Sequence, residues 1–328
     1  MVGIERVFRS GLLALCICCA SAGAHAQLFK NWISNIDQSP KVGVQVKIER
    51  FTPDMARRIK AFGFSFVRFG VWMNSMQLAS YRNSVSAAFD AADSAGLPVL
   101  LTVRSTVSLV QPAQNDESRT AQLRESATQL VDLISRLTGT YQKNLLAIEL
   151  WNEPDLPAYW PTGSVDSTFP VFIQAVCEKL KSVHTSTPVI GFGFSSAPLM
   201  NTRSGRLLQS VQASSSGCID AVSYHAYGMS SRQIQDVSAD VRSRYGLPVV
   251  ISEWGVSSGG KKDAVGQADE IKSFLAKRAQ TGTPLMSIYE WQDSQQAKNS
   301  RERNFGLVDA TGAAKPAFGS ARAALSVK

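Results

Sequence analysis

The sequence predicts an α/β chain folded as one (β/α)8 (TIM) barrel, a single domain. Three observations lead there. Short apolar, β-rich runs alternate with longer amphipathic ones, the pattern that a parallel sheet with crossover helices requires. Eight such runs can be drawn, enough to close a barrel. The chain has 328 residues, 44% of them hydrophobic, which suits one large core, since single-domain α/β barrels run to about 250 residues.

The first 26 residues stand outside the pattern. Arg6 and Arg9 give a positive start, residues 11–20 are apolar, and Ala24-His25-Ala26 is the small-x-small site of a signal peptide. The apolar run is far shorter than the roughly 20 residues that span a bilayer, so no stable membrane insertion is expected. Lipid attachment at Cys16, Cys18 or Cys19 is disfavoured, because Leu15, Ile17 and Cys18 stand where a lipoprotein signal has a small residue. Cleavage near Ala26 and a secreted or periplasmic catalytic domain over residues 27–328 are the expectation. Removing the segment takes two arginines and one glutamate, and the formal charge falls from +8 to +7. Lys and Arg are dispersed, so the basic balance predicts no nucleic-acid stripe, and an acidic substrate is a minority reading.

Strands are expected over 42–48, 64–71, 98–104, 145–151, 188–194, 219–225, 248–253 and 286–291, with helices between them such as 53–62, 85–95, 120–137, 169–183 and 264–279. An open doubly wound sheet is the competing architecture, but no Gly-rich dinucleotide fingerprint follows the first strand. Of the cysteines, only Cys177 and Cys218 outlast cleavage. They either pair in an oxidising compartment or sit as buried thiols, and both readings stay open.

A closed barrel keeps its chemistry at the carboxyl ends of its strands. Polar residues gather there: Arg68 in the second strand, Asn152 and Glu153 after the fourth, His225 and Tyr227 at the sixth, Glu253 ending the seventh and Trp291 ending the eighth. Breaking a glycosidic bond takes two carboxyl groups, one delivering a proton to the leaving oxygen and one supplying negative charge beside the oxocarbenium-like carbon. Glu153 and Glu253 meet that demand if both project into one mouth. Arg68 either joins them or pairs with Glu149, which has the same strand parity as Glu153. His225 either lines the site or is a satisfied core residue. Trp72, Tyr159, Trp160 and Trp254 either carry sugar rings or pack. Glu290 and Asp155 read as structural or loop residues.

Trp151-Asn152-Glu153-Pro154-Asp155 and Ser252-Glu253-Trp254-Gly255 resemble the two signature segments of clan A glycoside hydrolases, in the same order and separation. The tail Asn304-Phe305-Gly306-Leu307-Val308-Asp309 with Lys315-Pro316-Ala317 resembles the clan's closing segment. Residues 151–160 look closest to family 39-like enzymes, some found with bacterial exopolysaccharide genes, and the cellulase-like family 5 is nearly as good. The resemblance implies a retaining β-glycosidase, Glu153 as acid/base and Glu253 as nucleophile. It also implies that Arg68 keeps the nucleophile ionised, Asn152 bonds the sugar 2-hydroxyl, His225 and Tyr227 form the strand-six pair, and Trp291 is the sugar platform. The expected substrate is a β-linked poly- or oligosaccharide, such as bacterial exopolysaccharide or plant cell-wall glucan, mannan or xylan; no long lid insertion is apparent in the loops, so an open groove and internal cleavage are expected, by a monomer. A transglycosylase and a non-catalytic carbohydrate-binding barrel are the alternatives. No metal or cofactor is expected, because the mature chain keeps only His184 and His225 and no ligand spacing.

Overall fold

In the computed structural model, which describes residues 24–35, 38–112, 115–183 and 185–326, eight parallel strands close into a barrel. Residues 1–23, most of the expected signal peptide, and His184 lie outside the described residues. The chain runs through α1 (Ala24–Ser34), β1 (Lys41–Gln45), α2 (Pro53–Phe62), β2 (Phe66–Trp72), α3 (Ala79–Ser94) and β3 (Val99–Arg104). It continues through α4 (Asp116–Tyr141), β4 (Leu145–Leu150), α5 (Val165–Val183), β5 (Val189–Phe194), α6 (Arg203–Ser215) and β6 (Ala221–His225). Then come α7 (Ser231–Tyr245), β7 (Val249–Trp254), α8 (Ala264–Ala276), β8 (Leu285–Ile288), the short α9 (Ser300–Arg303) and α10 (Pro316–Ser326). Closure sets Val42 of β1 opposite Met286 of β8, so no strand edge is left unpaired.

Local signals mark where the helices begin and end. Pro53 takes the first helical position of α2, where its missing N–H is not needed. Thr52 caps that helix by accepting from the Met55 amide, and Gly63 leaves it at φ 113°, a left-handed conformation that favours glycine. A reciprocal capping box between Ser230 and Gln233 opens α7.

Two apolar layers follow from strand alternation. Outward residues such as Val44, Phe69, Val71 and Ile148 pack beneath the helices. Inward residues Phe66, Leu100, Ala147, Val250 and Leu285 form a separate core with Phe29 of α1, which is fully buried. A Cβ on Gly43 would collide with the Phe66 ring, so glycine in β1 makes room for that inner core. Further along the same strands the inward residues turn polar: Gln45 after Gly43, Arg68 after Phe66, Thr102 after Leu100 and Glu149 after Ala147, all buried. A disulfide joins Cys177 of α5 to Cys218 ahead of β6, which decides between the two readings of these cysteines.

The eighth strand stops at Ile288 rather than at residue 291, and one expected site residue moves as a result. The Trp291 ring, 1% exposed, lies edge-on to Phe62 of α2, Phe64 and Phe318 of α10. It packs between barrel and helices, because strict strand alternation, which still holds at Tyr289 just past β8, no longer sets the direction two residues further on.

Candidate active site

The polar inward residues open onto a cavity of about 550 Å³ at the C-terminal mouth, which Arg68, Asn152, Glu153, Tyr227 and Glu253 all line. Arg68 is the hub. Its Nη1 donates to Oε1 of Glu253 at 2.6 Å and to Oε1 of Gln45 at 2.9 Å. Its Nη2 donates to Oε2 of Glu149 at 2.6 Å and to Oδ1 of Asn152 at 2.8 Å, and Nε adds a second bond to Glu149 at 2.9 Å. Arg68 therefore serves both Glu149 and Glu253, the two partners between which its sequence position left a choice. The planar fork of arginine is what allows one cation to hold two carboxylates and two amides.

Glu253 takes a second bond from the Tyr227 hydroxyl, 2.7 Å from its Oε2. Burial alone would push this carboxyl toward its neutral form. His225, Arg68 and the Tyr227 bond outweigh burial and hold its pKa below the usual carboxylate range. Tyr227 moves the other way: burial and the facing Glu253 charge raise its pKa well above that of a free phenol, so it stays a donor. His225 joins the two glutamates, its Nδ1 lying 2.9 Å from Oε1 of Glu153 and 3.5 Å from Oε2 of Glu253. Burial disfavours the charged imidazole, but the adjacent Glu253 and Glu153 raise its pKa.

Glu153 reaches the mouth through an unusual backbone. Trp151 and Glu153 have φ values of 75° and 54°, the left-handed region that costs a non-glycine residue about 1 kcal/mol or more. The Glu153 amide donates to the Gly193 carbonyl and the Trp151 indole to the Tyr159 carbonyl, both at 2.8 Å. Trp160 stacks obliquely against Trp151, ring centroids 4.7 Å apart, and is 1% exposed. Trp160 is thus a packing residue that braces this turn, not a sugar platform, and its indole N–H is used on Thr168. Trp254 is likewise corrected: 2% exposed, it faces outward and stacks on Phe274 of α8 at 3.6 Å. Asp155 binds the amide and hydroxyl of Ser195, and Glu290 pairs with Lys47 at 3.4 Å, the structural roles expected of them.

Of the aromatic residues singled out in the sequence, Trp72 and Tyr159 line the cavity. Gly70 leaves space for the Trp72 ring, which a Cβ there would strike. Among the lining residues that sequence reasoning missed are Tyr289 and Arg104. Tyr289, past the end of β8, occupies the wall where Trp291 was expected and accepts a bond from Lys47 at 3.2 Å. Counting inward residues from Leu285 through Ser287 reaches it. Arg104 ends β3, the kind of place where the other site residues were sought.

Residues 44–286 match the family described as Cellulase (glycosyl hydrolase family 5). No curated protein gives a significant sequence match. Among solved structures, the chain is similar to a family 39 glycoside hydrolase from the gut symbiont Bacteroides cellulosilyticus, with TM-score 0.64, 17% identity, and 89% of this chain and 64% of that one covered. It is also similar to a glucosidase from Croceicoccus marinus, with TM-score 0.66, 14% identity, and 88% and 67% covered. An exo-β-1,4-mannosidase from an Opitutaceae bacterium gives TM-score 0.59 and 15% identity over 88% of this chain and 59% of that one. The chain thus spans between 59% and 67% of the length of these structures, and the likeness is one of fold.

Proposed function

Because the chain belongs to the cellulase family, glycosyl hydrolase family 5, and is a β-glycoside hydrolase, we propose that it cleaves β-linked poly- or oligosaccharide with retention, Glu253 attacking and Glu153 exchanging the proton. The observation that carries this reading is the shared imidazole. One nitrogen, 2.9 Å from a Glu153 oxygen and 3.5 Å from a Glu253 oxygen, caps the gap between those oxygens at the sum of the two distances. Both carboxyl groups thus face one sugar across a short gap, with Glu253 held ionised by His225, Arg68 and Tyr227 for attack and Glu153 beside it for proton exchange.

The steps follow from the side chains. The Glu153 carboxylic acid protonates the glycosidic oxygen while Glu253 forms a bond to the anomeric carbon and the leaving sugar departs. Glu153, now a carboxylate, takes a proton from water, whose oxygen displaces Glu253 from the same face. Arg68 and Tyr227 stabilise Glu253 each time it regains its charge. Asn152 has its carbonyl committed to Arg68, which leaves its amide N–H groups to donate to a sugar hydroxyl beside the anomeric carbon. Tyr289, with Trp72, supplies the aromatic wall.

We read the action as internal cleavage of a polymer, because the rim residues Glu49, Leu156 and Arg301 are exposed, which suits entry of a chain rather than only its end. Export after cleavage near Ala26 fits the Cys177–Cys218 disulfide, a bond typical of oxidising compartments. The test is digestion of a panel of neutral and acidic β-linked polysaccharides, with products resolved by length and the new reducing end followed by NMR. A mixture of mid-length products that emerge as the β-anomer is expected. Release of the α-anomer from a β-linkage would refute retention, and release of single sugars alone would refute internal cleavage.

A further inference from the structure

Four cations line the cavity: Lys47, Arg68, Arg104 and Arg301. Lys47 reaches Glu290 at 3.4 Å, Arg68 holds Glu149 and Glu253, and Arg301 pairs with Glu302 at 2.6 Å. Among the described residues Arg104 alone of the four forms no ion pair. Its Nε is buried without a hydrogen-bond partner, and one Nη reaches the Ser105 carbonyl at only 3.5 Å. Burial accordingly pulls its pKa below the usual arginine value.

The guanidinium is nevertheless well held. Its central carbon lies 4.8 Å from the Trp72 ring centroid and 5.2 Å from that of Tyr159. Trp72 and Arg104 are register partners on β2 and β3, so both are fixed by the barrel itself. Aromatic faces orient a planar cation without consuming its N–H donors. Glu153 and Glu253 favour its charge from a distance. That accounts for the charge, not for a rigid fork of five donors left almost unused. A half-buried cation whose Nε is buried without a partner carries a cost, and a planar anion arriving with the substrate reduces it through two parallel bonds.

We propose that Arg104 recognises a carboxylate-bearing sugar, of the uronic-acid type, in the substrate chain beside the point of cleavage. Trp72 and Tyr159 then act as the brace that sets the plane of the guanidinium. The assignment deepens the glycosidase reading and rests on it, and a test in two arms separates their failures.

The first arm measures binding and needs no turnover. Cellotetraose and its C6-oxidised counterpart, the same β-1,4 backbone carrying carboxylates, are titrated into the intact protein and followed by ligand-observed NMR. The oxidised chain should bind roughly tenfold tighter or better, the scale of a charge-assisted bidentate pair. Arg104→Gln should erase that preference, and Arg104→Lys, which keeps charge but not the fork, should restore only part of it. Circular dichroism of each variant checks the fold. Equal binding of the two sugars overturns the proposal. So does a preference that survives in Arg104→Gln, because it then belongs to the general basic charge of the protein. The second arm compares cleavage of each acidic polysaccharide in the panel with the same polymer after reduction of its carboxyl groups. A higher kcat/KM on the acidic form that vanishes in Arg104→Gln supports Arg104. If the wild type cuts nothing, the hydrolase reading fails while the binding arm still decides the role of Arg104.

Discussion

On the Glu253 carboxylate, Arg68 donates from 2.6 Å, Tyr227 from 2.7 Å, and His225 stands at 3.5 Å. Glu253→Gln keeps the volume but loses the charge that attacks, so kcat should fall by several orders of magnitude with an unchanged circular dichroism spectrum. Retained wild-type turnover would remove Glu253 from the chemistry. Glu153→Ala should behave differently, because the lost proton matters in proportion to the leaving group. An activated aryl glycoside of the right sugar needs little protonation, so its first step should survive and a covalent adduct on Glu253 should accumulate, visible by intact mass. Added azide should release that adduct as a β-glycosyl azide, since a small anion needs no general base. An equal loss on activated and unactivated substrates would disprove the double role. The two glutamates were legible because each sits at the end of an apolar run inside a recognisable segment. The aromatic platform was not. Trp160, Trp254 and Trp291 are spent on Phe172, Phe274 and Phe318 behind the strands, and a tryptophan reads the same in sequence whether it faces sugar or a helix.

At the level of elements, the strands were legible and their ends less so. Eight apolar runs announce eight strands, but Val46 and Ile48 continue apolar after β1 ends at Gln45, since a buried loop residue looks like a strand residue. The N-terminal helix was invisible, because α1 begins inside the segment that reads as a cleavage site. Its Phe29 shares an apolar cluster with Phe66, Leu100 and Leu285 at the inner end of the barrel. Phe29 lies beyond the proposed cleavage point after Ala26, so such cleavage would not remove it. Phe29→Ala should therefore lower the unfolding free energy of the protein by about 3–5 kcal/mol, the range for emptying a buried phenylalanine site. Urea titration measures it, and a change under about 0.5 kcal/mol, the scale of a surface substitution, would show that α1 is not part of the cooperative unit.

Across the whole molecule, the barrel places apolar residues at one end of its interior and a charged network at the other, and the network makes stability depend on pH. Glu149 and Glu253 are both held below the ordinary carboxylate range: burial opposes this, and Arg68 for Glu149, and His225 with Arg68 for Glu253, prevail. Such groups stabilise the fold fully above their unfolded pKa, near 4.3, and the contribution drains away as pH falls through the lower folded value. His225 has the opposite sign. With its pKa raised by Glu253 and Glu153 against burial, its contribution is complete below the unfolded value of about 6.5 and is lost as pH rises through the folded one. Urea midpoints followed from about pH 3 to about pH 9 should thus describe a dome. In His225→Asn the alkaline side should flatten. The acid side should shrink as well, because Glu253 loses the largest of the attractions that depress its pKa. An alkaline slope equal in wild type and variant would mean that the imidazole between the two glutamates is not charged in the folded protein, and that the network holds Glu253 through Arg68 and Tyr227 alone.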